Sequence, residues 1–320
     1  MTKEMITVVV NTYPHNYRGV DLEKCLDSLA QQSYRNFKVV LVENNVNQIG
    51  VEKIVKLFLN KIEVKVVVCS IKRLSVLFNI GWKEVKTEYV AFLADDAVAD
   101  KDWLKNIKIE LDKNERIAAV SGPVISSCYP TGEMHSLYLK MRSSVLGKMF
   151  IGPYIYLAME NCPTVPGKYF GSGAYSFGTA LPESINFSRA EIDLLTTTSM
   201  GIKREVLDEL GGFDEIYNFN HADGDLFLRI KQAEYKLIFS PKIKVKHMVR
   251  IGPSRNAYYI GKDTGIFHRK HLRPKSLRSL LGAVLNILVL NVYWMYSAVS
   301  KKDVSQLKGI TGYVEGIFKT

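Results

Sequence analysis

The chain has few cysteines for its length, and their spacing excludes the common uses of paired thiols. Cys25, Cys69, Cys128 and Cys162 lie far apart among 320 residues, and none belongs to a CxxC pair. Four widely spaced cysteines without a CxxC pair are not typical of a disulfide framework or of a zinc site. We therefore expect reduced, mostly buried thiols in a cytosolic compartment.

The start of the sequence lacks two further features. MITVVVNTY contains no long apolar signal region, so we do not expect secretion. The following NTYPHNYRG is a poor match to the Gly-rich, Lys- or Arg-bearing phosphate loop that a nucleotidyltransferase or a sugar-nucleotide hydrolase would use. The first apolar run is therefore interpreted as a buried strand.

The composition indicates a globular chain with anionic partners. Hydrophobic residues make up 47% of the sequence, and the formal net charge is +11. This balance favours nucleotides, phosphates or anionic lipid as partners. Nucleic acid is not expected, because no recognition helix or basic stacking platform stands out.

Apolar runs and amphipathic segments alternate through the first hundred residues. Runs typical of buried strands lie at 5–10, 37–42, 64–69 and 89–93, and helical periodicity fills the intervals between them. This alternation predicts an α/β fold with a Rossmann-like, mostly parallel sheet flanked by helices. Ligands of such sheets bind beyond the carboxyl ends of the strands.

Polar residues follow three of these predicted strands. They are Asn11 and Thr12 after the first strand, Glu43 and Asn44 after the second, and Asp95 and Asp96 after the fourth. A solvated loop would account for any one pair, but convergence on one crevice favours a binding site. The adjacent Asp95 and Asp96 could serve a hard cation and a sugar hydroxyl, or simply form an acidic turn before the next helix.

Several motifs in order carry a resemblance to a known family. They are VVVNTYPHN, LEKCLDSLAQQSYRNFKVVLVENN, FNIGWKEVKTEYVAFLADDAVADKDWL, SMGIKREVLDELGGFDE and ADGDLFLRI. The series resembles the family-two inverting glycosyltransferases of the GT-A fold over roughly residues 5–250, and an ordered series is far more specific than one motif.

The resemblance implies a nucleotide site at the strand ends. The implied nucleotide contacts are Asn11, Thr12, Tyr13, Glu43, Asn44 and Asp95. The family usually has Asp at the end of the second strand, where this chain has the longer Glu43, so the base preference is left open. Asp95 is matched to the ribose.

The resemblance also implies a metal site and a catalytic base. Asp96 and His247 match metal-ligand positions for Mg²⁺ or Mn²⁺, although Ala94 replaces the first carboxylate of the usual motif. Asp223 matches the general base, with Asp225 supporting the start of its helix. From the residues alone, Asp223 and Asp225 could equally complement a helix dipole, and a lone His is often structural.

The middle of the chain shows little periodicity. Residues 126–195 contain many Gly, Pro, Tyr and Ser residues, so we expect mostly loop and acceptor-facing surface there. Their aromatic side chains could stack on sugar rings or pack beneath a long loop. His221, before the implied base, could contact the substrate, but we interpret it as a surface imidazole.

The C-terminal part combines basic residues with an uncharged segment. Residues 262–278 are rich in Lys and Arg, and residues 279–299 contain no charge, close to the roughly 20 residues of a spanning helix. The segment could span a membrane, lie in its interface or pack on the catalytic domain; we expect membrane contact. The expected organisation is a catalytic domain at 1–250, divided into a nucleotide-sugar-binding half (1–100) and an acceptor-binding half (101–250), with a helical, membrane-associating region at 251–320.

Together these features predict metal-assisted, inverting transfer of a sugar from a nucleotide-diphosphate sugar to a hydroxyl. The expected acceptor is lipid-linked or a growing surface glycan, which implies polysaccharide biosynthesis at the cytoplasmic face of the membrane. The alternatives are a nucleotidyltransferase and a non-catalytic, membrane-associated sugar-nucleotide-binding protein. Asp96 and Asp223 both speak against the second alternative.

Overall fold

A computed structural model describes residues 6–12, 19–44, 48–126, 133–178, 181–248 and 256–318. Its strands are β1 (Ile6–Asn11), β2 (Phe37–Glu43), β3 (Val64–Val68), β4 (Tyr89–Ala94), β5 (Ala97–Ala99), β6 (Ile117–Ser121), β7 (Val124–Ser126), β8 (Ala190–Ile192), β9 (Ser199–Lys203), β10 (Lys236–Phe239) and β11 (Val245–His247). Its α-helices are α1 (Gly19–Ala30), α2 (Gln48–Lys56), α3 (Leu74–Lys83), α4 (Trp103–Leu111), α5 (Glu133–Arg142), α6 (Val145–Ala158), α7 (Arg204–Leu210), α8 (Ala222–Gln232), α9 (Ala257–His271), α10 (Leu277–Ser300) and α11 (Lys308–Phe318). Short 3₁₀ helices cover Pro182–Asn186 and Val304–Leu307.

The described residues fall into two compact units. One contains those within 1–128, 182–215 and 222–253, and the other those within 129–181, 216–221 and 254–320. Both sheets and all the described site residues predicted from the sequence lie in the first unit. The assignment of nucleotide and acceptor roles to residues 1–100 and 101–250 stays a prediction.

The first unit is built on an eight-stranded sheet in the order β3-β2-β1-β4-β9-β6-β10-β8. The pairs among β1 to β4 are parallel, as is β6 with β10, whereas β9 is antiparallel to both β4 and β6. The predicted α/β fold with a mostly parallel sheet is therefore confirmed. A smaller sheet has the order β5-β11-β7.

Strands β1, β2 and β4 are buried because helices cover the sheet. The predicted burial of the third strand is wrong, because β3 lies at the edge of the sheet and is only partly buried, with Val68 48% exposed. All six residues of β1 are buried, and the apolar side chains of α1 and α4 pack into the same core as β1, β2 and β4. On α1 the buried apolar residues are Leu22, Cys25, Leu26 and Leu29, which recur every three or four positions and form one face. None of the three described cysteines forms a disulfide, and Cys128 lies outside the described residues.

The prediction that residues 126–195 are mostly loop is wrong for residues 133–158. Helices α5 and α6 occupy much of this segment, and α6 continues through Pro153. Gly147, Gly152 and Pro153 suggested a loop, but α6 is capped at Ser144, whose hydroxyl accepts a bond from the Gly147 N–H. The backbone N–H groups of a helix's first turn have no acceptor within the helix, and this side-chain cap supplies an acceptor for one of them.

Candidate active site

The polar strand ends lie at one edge of the sheet. β1 lies between β2 and β4, and Asn11 is opposite Val42 on one side and Ala94 on the other. The residues that follow β1, β2 and β4 therefore leave the sheet at the same level. The strand order also changes direction at β1, because β2 lies on one side of it and β4 on the other. Ligands of open α/β sheets bind beyond the carboxyl ends of the strands at such a point.

Hydrogen bonds join the ends of β1 and β2. The Thr12 N–H donates to the Val42 carbonyl at 3.0 Å, and the Thr12 hydroxyl accepts from the Asn44 N–H at 3.2 Å. The Asn44 side-chain amide donates to the Ile71 carbonyl at 2.6 Å. The structure thus brings the predicted site residues Thr12 and Asn44 together. Tyr13, also predicted, lies outside the described residues.

Some polar atoms at this edge have no hydrogen-bond partner among the described residues. They are both amide atoms of Asn11, which is 8% exposed, and Oδ1 of Asn44. A buried amide without a partner costs free energy, and such groups in folded proteins call for an explanation. A polar ligand bound at the strand ends would give these amide atoms hydrogen-bond partners. Glu43 is also fully buried here, at the end of β2.

Asp96 and His247 are brought together by the smaller sheet. β5 and β11 pair antiparallel with Ala97 opposite His247, and the Met248 N–H donates to the Asp96 carbonyl at 2.8 Å. Asp96 Oδ1 lies 3.1 Å from His247 Nε2, and the two side chains are 14% and 25% exposed. Asp95, one residue earlier, is buried.

This pair fits part of a divalent-cation site. Carboxylate oxygens suit Mg²⁺ and Mn²⁺, and an imidazole nitrogen also ligates transition metals such as Mn²⁺. Asp96 and His247 are two such donors within one hydrogen-bond length and open to solvent. No group of three metal-ligating side chains occurs among the described residues, so phosphate oxygens or water would have to complete the coordination.

Asp223 lies in the first turn of α8, where its carboxylate is held by several donors. The Gly224 N–H donates to Asp223 Oδ1 at 2.8 Å, and Thr197 donates to Asp223 from both its backbone and its hydroxyl. Burial raises the pKa of Asp223, and these hydrogen bonds oppose that rise. A carboxylate with a raised pKa is a stronger base than an exposed one.

The Thr197 segment connects Asp223 to the end of β4. The Ala94 N–H donates to the Thr198 carbonyl at 3.0 Å, immediately before Asp95 and Asp96. Thr197 was not among the residues predicted from the sequence. The run of three threonines before β9 was the available signal, but no spacing rule assigns such a run to a carboxylate.

A buried ion pair fixes the helix that carries Asp223. Asp225 is fully buried, and Arg229 Nε donates to its Oδ2 at 2.7 Å. The other guanidinium nitrogens donate to the carbonyls of Leu210 at 2.9 Å and Gly212 at 2.7 Å. Arg229 therefore joins α8 to the turn that ends α7. Sequence reasoning identified Asp225 but missed Arg229.

The prediction that His221 is a surface imidazole is wrong. Its ring stacks on Phe267 with centroids 4.5 Å apart, and its Nε2 lies 3.1 Å from the Thr264 hydroxyl oxygen. Burial lowers the pKa of His221 to about 3, so the ring is neutral near pH 7.

Comparison with known proteins places these features in context. The model of a family described as glycosyl transferase family 2 matches residues 7–178, more than half of the chain. Among curated proteins, none matches by sequence.

Solved structures of three proteins share the fold at low sequence identity. The mannosyltransferase PcManGT from Pyrobaculum calidifontis, in complex with GDP-Man and Mn²⁺, is 15% identical with a TM-score of 0.54, over 98% of this chain and 87% of that one. TarS 1–349 from S. aureus is 12% identical with a TM-score of 0.57, over 98% and 81%. GalNAc-T7 with UDP, GalNAc and Mn²⁺ is 16% identical with a TM-score of 0.59, over 83% and 48%.

Proposed function

Because the chain belongs to glycosyl transferase family 2, we propose that this glycosyltransferase moves a sugar from a nucleotide-diphosphate sugar to an acceptor hydroxyl with inversion at the anomeric carbon. One observation carries the proposal. Asp96 follows β4 and contacts His247, and Asp223 is tied to the same strand end through Thr197 and Thr198. A donor site and a base in one place are what a single displacement requires.

Asp223 is proposed as the general base. Its carboxylate would accept the proton of the acceptor hydroxyl as the oxygen attacks the anomeric carbon, and the bond to the diphosphate would break on the opposite face. Its pKa, raised by burial, makes that proton transfer more favourable than it would be for an exposed Asp. Thr197 and Gly224 hold the carboxylate in one orientation.

The donor is proposed to occupy the strand ends. Asn11, Thr12, Glu43 and Asn44 would contact the nucleotide, and Asp95 the ribose; the buried amide atoms of Asn11 support this placement. Asp96 and His247 would hold Mg²⁺ or Mn²⁺, which when bound supplies positive charge for the leaving diphosphate. The Mn²⁺ complexes of PcManGT and GalNAc-T7 support this assignment.

The acceptor is proposed to be lipid-linked or a cell-surface glycan, at the cytoplasmic face of the membrane. Among the described residues, one helix, Leu277–Ser300, is long and apolar enough to cross a bilayer by length and composition. Its basic flanks would favour anionic lipid.

Thermal stabilisation by nucleotide diphosphates and their sugars, with and without Mn²⁺, tests the donor site. A ligand that binds only the folded state raises the melting temperature. We expect a metal-dependent rise with one nucleotide, which Asp96→Asn reduces and Asp223→Asn retains. The anomeric configuration of the product, read by NMR, tests inversion. Pyrophosphate release from a triphosphate would instead indicate a nucleotidyltransferase, and donor binding without turnover a binding protein.

A further inference from the structure

Helix α10 presents an apolar stripe to solvent. Leu277, Leu281, Val284, Leu288, Val292 and Met295 recur at intervals of three or four residues and are 47–72% exposed. The opposite face carries small and polar residues that are buried, including Gly282, Asn286 and Ser297. The helix therefore turns its polar face toward the protein and its apolar face outward, the reverse of an ordinary surface helix.

Helix α6 extends this apolar surface. Val145, Leu146, Met149 and Phe150 are each 69–76% exposed. Tyr156, seven positions after Met149 and thus on the same helix face, lies against α10, because the Arg278 guanidinium stacks on its ring at 4.3 Å.

The α6–α10 face, defined as these exposed apolar residues of the two helices, is large for a soluble protein. Half or more of ten large apolar side chains corresponds to on the order of 1,000 Å², whereas soluble monomers usually expose patches of a few hundred Å².

Basic residues accompany both helices of the α6–α10 face in the sequence. Between Asp263 and Asp303 the sequence has no acidic residue and seven basic ones, which flank α10 at both ends. Residues 134–159, which contain α6, also lack acidic residues and include three basic ones. Each basic residue near an anionic lipid surface adds favourable attraction, and long basic side chains reach the headgroups from an inserted helix.

The neighbours of α10 exclude a spanning orientation. α9 precedes α10 and α11 follows it, and these two helices pack backbone to backbone: a Cβ on Gly261 would lie 2.0 Å from the Gly309 carbonyl oxygen. His268 Nδ1 also lies 2.9 Å from the Tyr313 hydroxyl. A spanning α10 would place α9 and α11 on opposite sides of a hydrocarbon core of about 30 Å. Their direct contact keeps both ends of α10 on one side.

The polar face of α10 also remains bonded to its own unit. The Tyr154 hydroxyl of α6 donates to Asn286 Oδ1 at 2.8 Å, and the Ser297 hydroxyl donates to Gln306 Oε1 at 3.3 Å. Trp294 lies against Gly309, where an added Cβ would be 2.4 Å from the indole ring. Lipid around this face of α10 could not provide these hydrogen bonds or this packing, so the face stays against the protein.

We propose that the α6–α10 face docks in the plane of an anionic phospholipid surface, with α10 lying in the interface along its length of about 36 Å. This docking would bring the enzyme to a lipid-borne acceptor, but it does not rest on the proposed transfer reaction, since it follows from the exposed surface and charge alone.

Co-sedimentation of the full-length protein with sucrose-loaded vesicles tests the proposal. We expect binding to vesicles containing phosphatidylglycerol, weaker binding to phosphatidylcholine alone, and partial loss at high salt. Leu288→Asp and Phe150→Asp should each lower the partition coefficient at least tenfold. Leu57→Asp is the matched control, since Leu57 is 59% exposed and lies in the first unit. A circular-dichroism spectrum and a melting temperature like those of the wild type show that each variant is folded, and Leu288→Gln provides a milder change.

The orientation is tested on the same vesicles. A C-terminal epitope tag should be fully digested by external protease, and carbonate at pH 11 should release the protein. A protected tag or resistance to carbonate would establish spanning and overturn the proposal. Absence of binding to anionic vesicles would also overturn it, as would a wild-type dimer that becomes monomeric in Leu288→Asp without lipid, because a second copy would then cover the face.

Discussion

Two Arg–Asp pairs on neighbouring helices allow a sharp test of what fixes the proposed base. Asp225 and Arg229 on α8 are four residues apart, with the carboxylate fully buried and the arginine side chain 22% exposed. Arg204 and Asp208 on α7 are also four apart, but their side chains are 40% and 46% exposed. We predict that Arg229→Met is strongly destabilising and that Arg204→Met is nearly silent.

The magnitudes follow from burial. Removing one partner of a buried ion pair costs about 3–5 kcal/mol, and the partial exposure of Arg229 points to the lower end, about 3 kcal/mol. The carbonyls of Leu210 and Gly212 lose donors in the same variant. An exposed pair contributes about 0–1 kcal/mol, so we expect less than about 0.5 kcal/mol for Arg204→Met.

Urea denaturation followed by circular dichroism measures both costs. Asp225→Asn and the double variant complete a cycle, and the double variant should lose less stability than the sum of the singles, because both remove one interaction. In folded Arg229→Met we also expect kcat to fall more than tenfold, since a shift of α8 displaces Asp223. Equal, small costs for Arg229→Met and Arg204→Met would refute the reasoning.

Five further predictions concern the site itself. Asp223→Asn should abolish turnover and retain donor binding in the thermal-shift assay. Because burial raises the pKa of Asp223, the wild type should lose stability as pH rises from the ordinary value of 3.8 through the raised one; Asp223→Asn should therefore melt higher at neutral pH and alike below pH 3.8. The acid limb of the kcat profile should lie above pH 3.8 for the same reason, and a lower midpoint would exclude Asp223 as the titrating base. His247→Gln should weaken the nucleotide affinity measured by thermal shift with Mn²⁺ at least tenfold and leave the affinity without metal unchanged. Glu43→Gln should change the order in which nucleotides with different bases stabilise the protein in the same assay.

Strands β1 to β4 were predictable because each is a short apolar run, although β3 at the sheet edge is only partly buried. Strands β5, β6 and β7 were not predicted. β9 was not identified from its sequence, since SMGIK is no more apolar than many loops. It is buried because it lies between β4 and β6, and that position depends on chain segments distant in sequence. Helix α6 was missed for a different reason, because Gly and Pro residues suggested a loop where a capped, largely exposed apolar helix forms.

The types of site residue were predictable, whereas their partners were not. Strand ends indicated Asn11 and Asp96, since a parallel sheet places such ends at one edge. The roles of Asp223 and His247 followed only from the family resemblance and stay predictions. No sequence rule assigns Thr197 to Asp223, because the fold alone brings these two residues together. Arg229 lies one helical turn after Asp225, but its bonds to the carbonyls of Leu210 and Gly212 also depend on the fold.

The antiparallel strand β9 explains how donor and base sites could be coupled without being adjacent in sequence. Its pairing with β4 puts Ser199 opposite Leu93, so the Thr197–Thr198 segment lies beside the residues leading into Asp95. Thr197 holds Asp223 from one side, and Arg229 holds the same helix from the other by its bond to Asp225. Displacement of β9 would therefore move the proposed base relative to Asp96, whereas changes confined to β2 and β3 would alter the proposed nucleotide contacts and leave Asp223 in place.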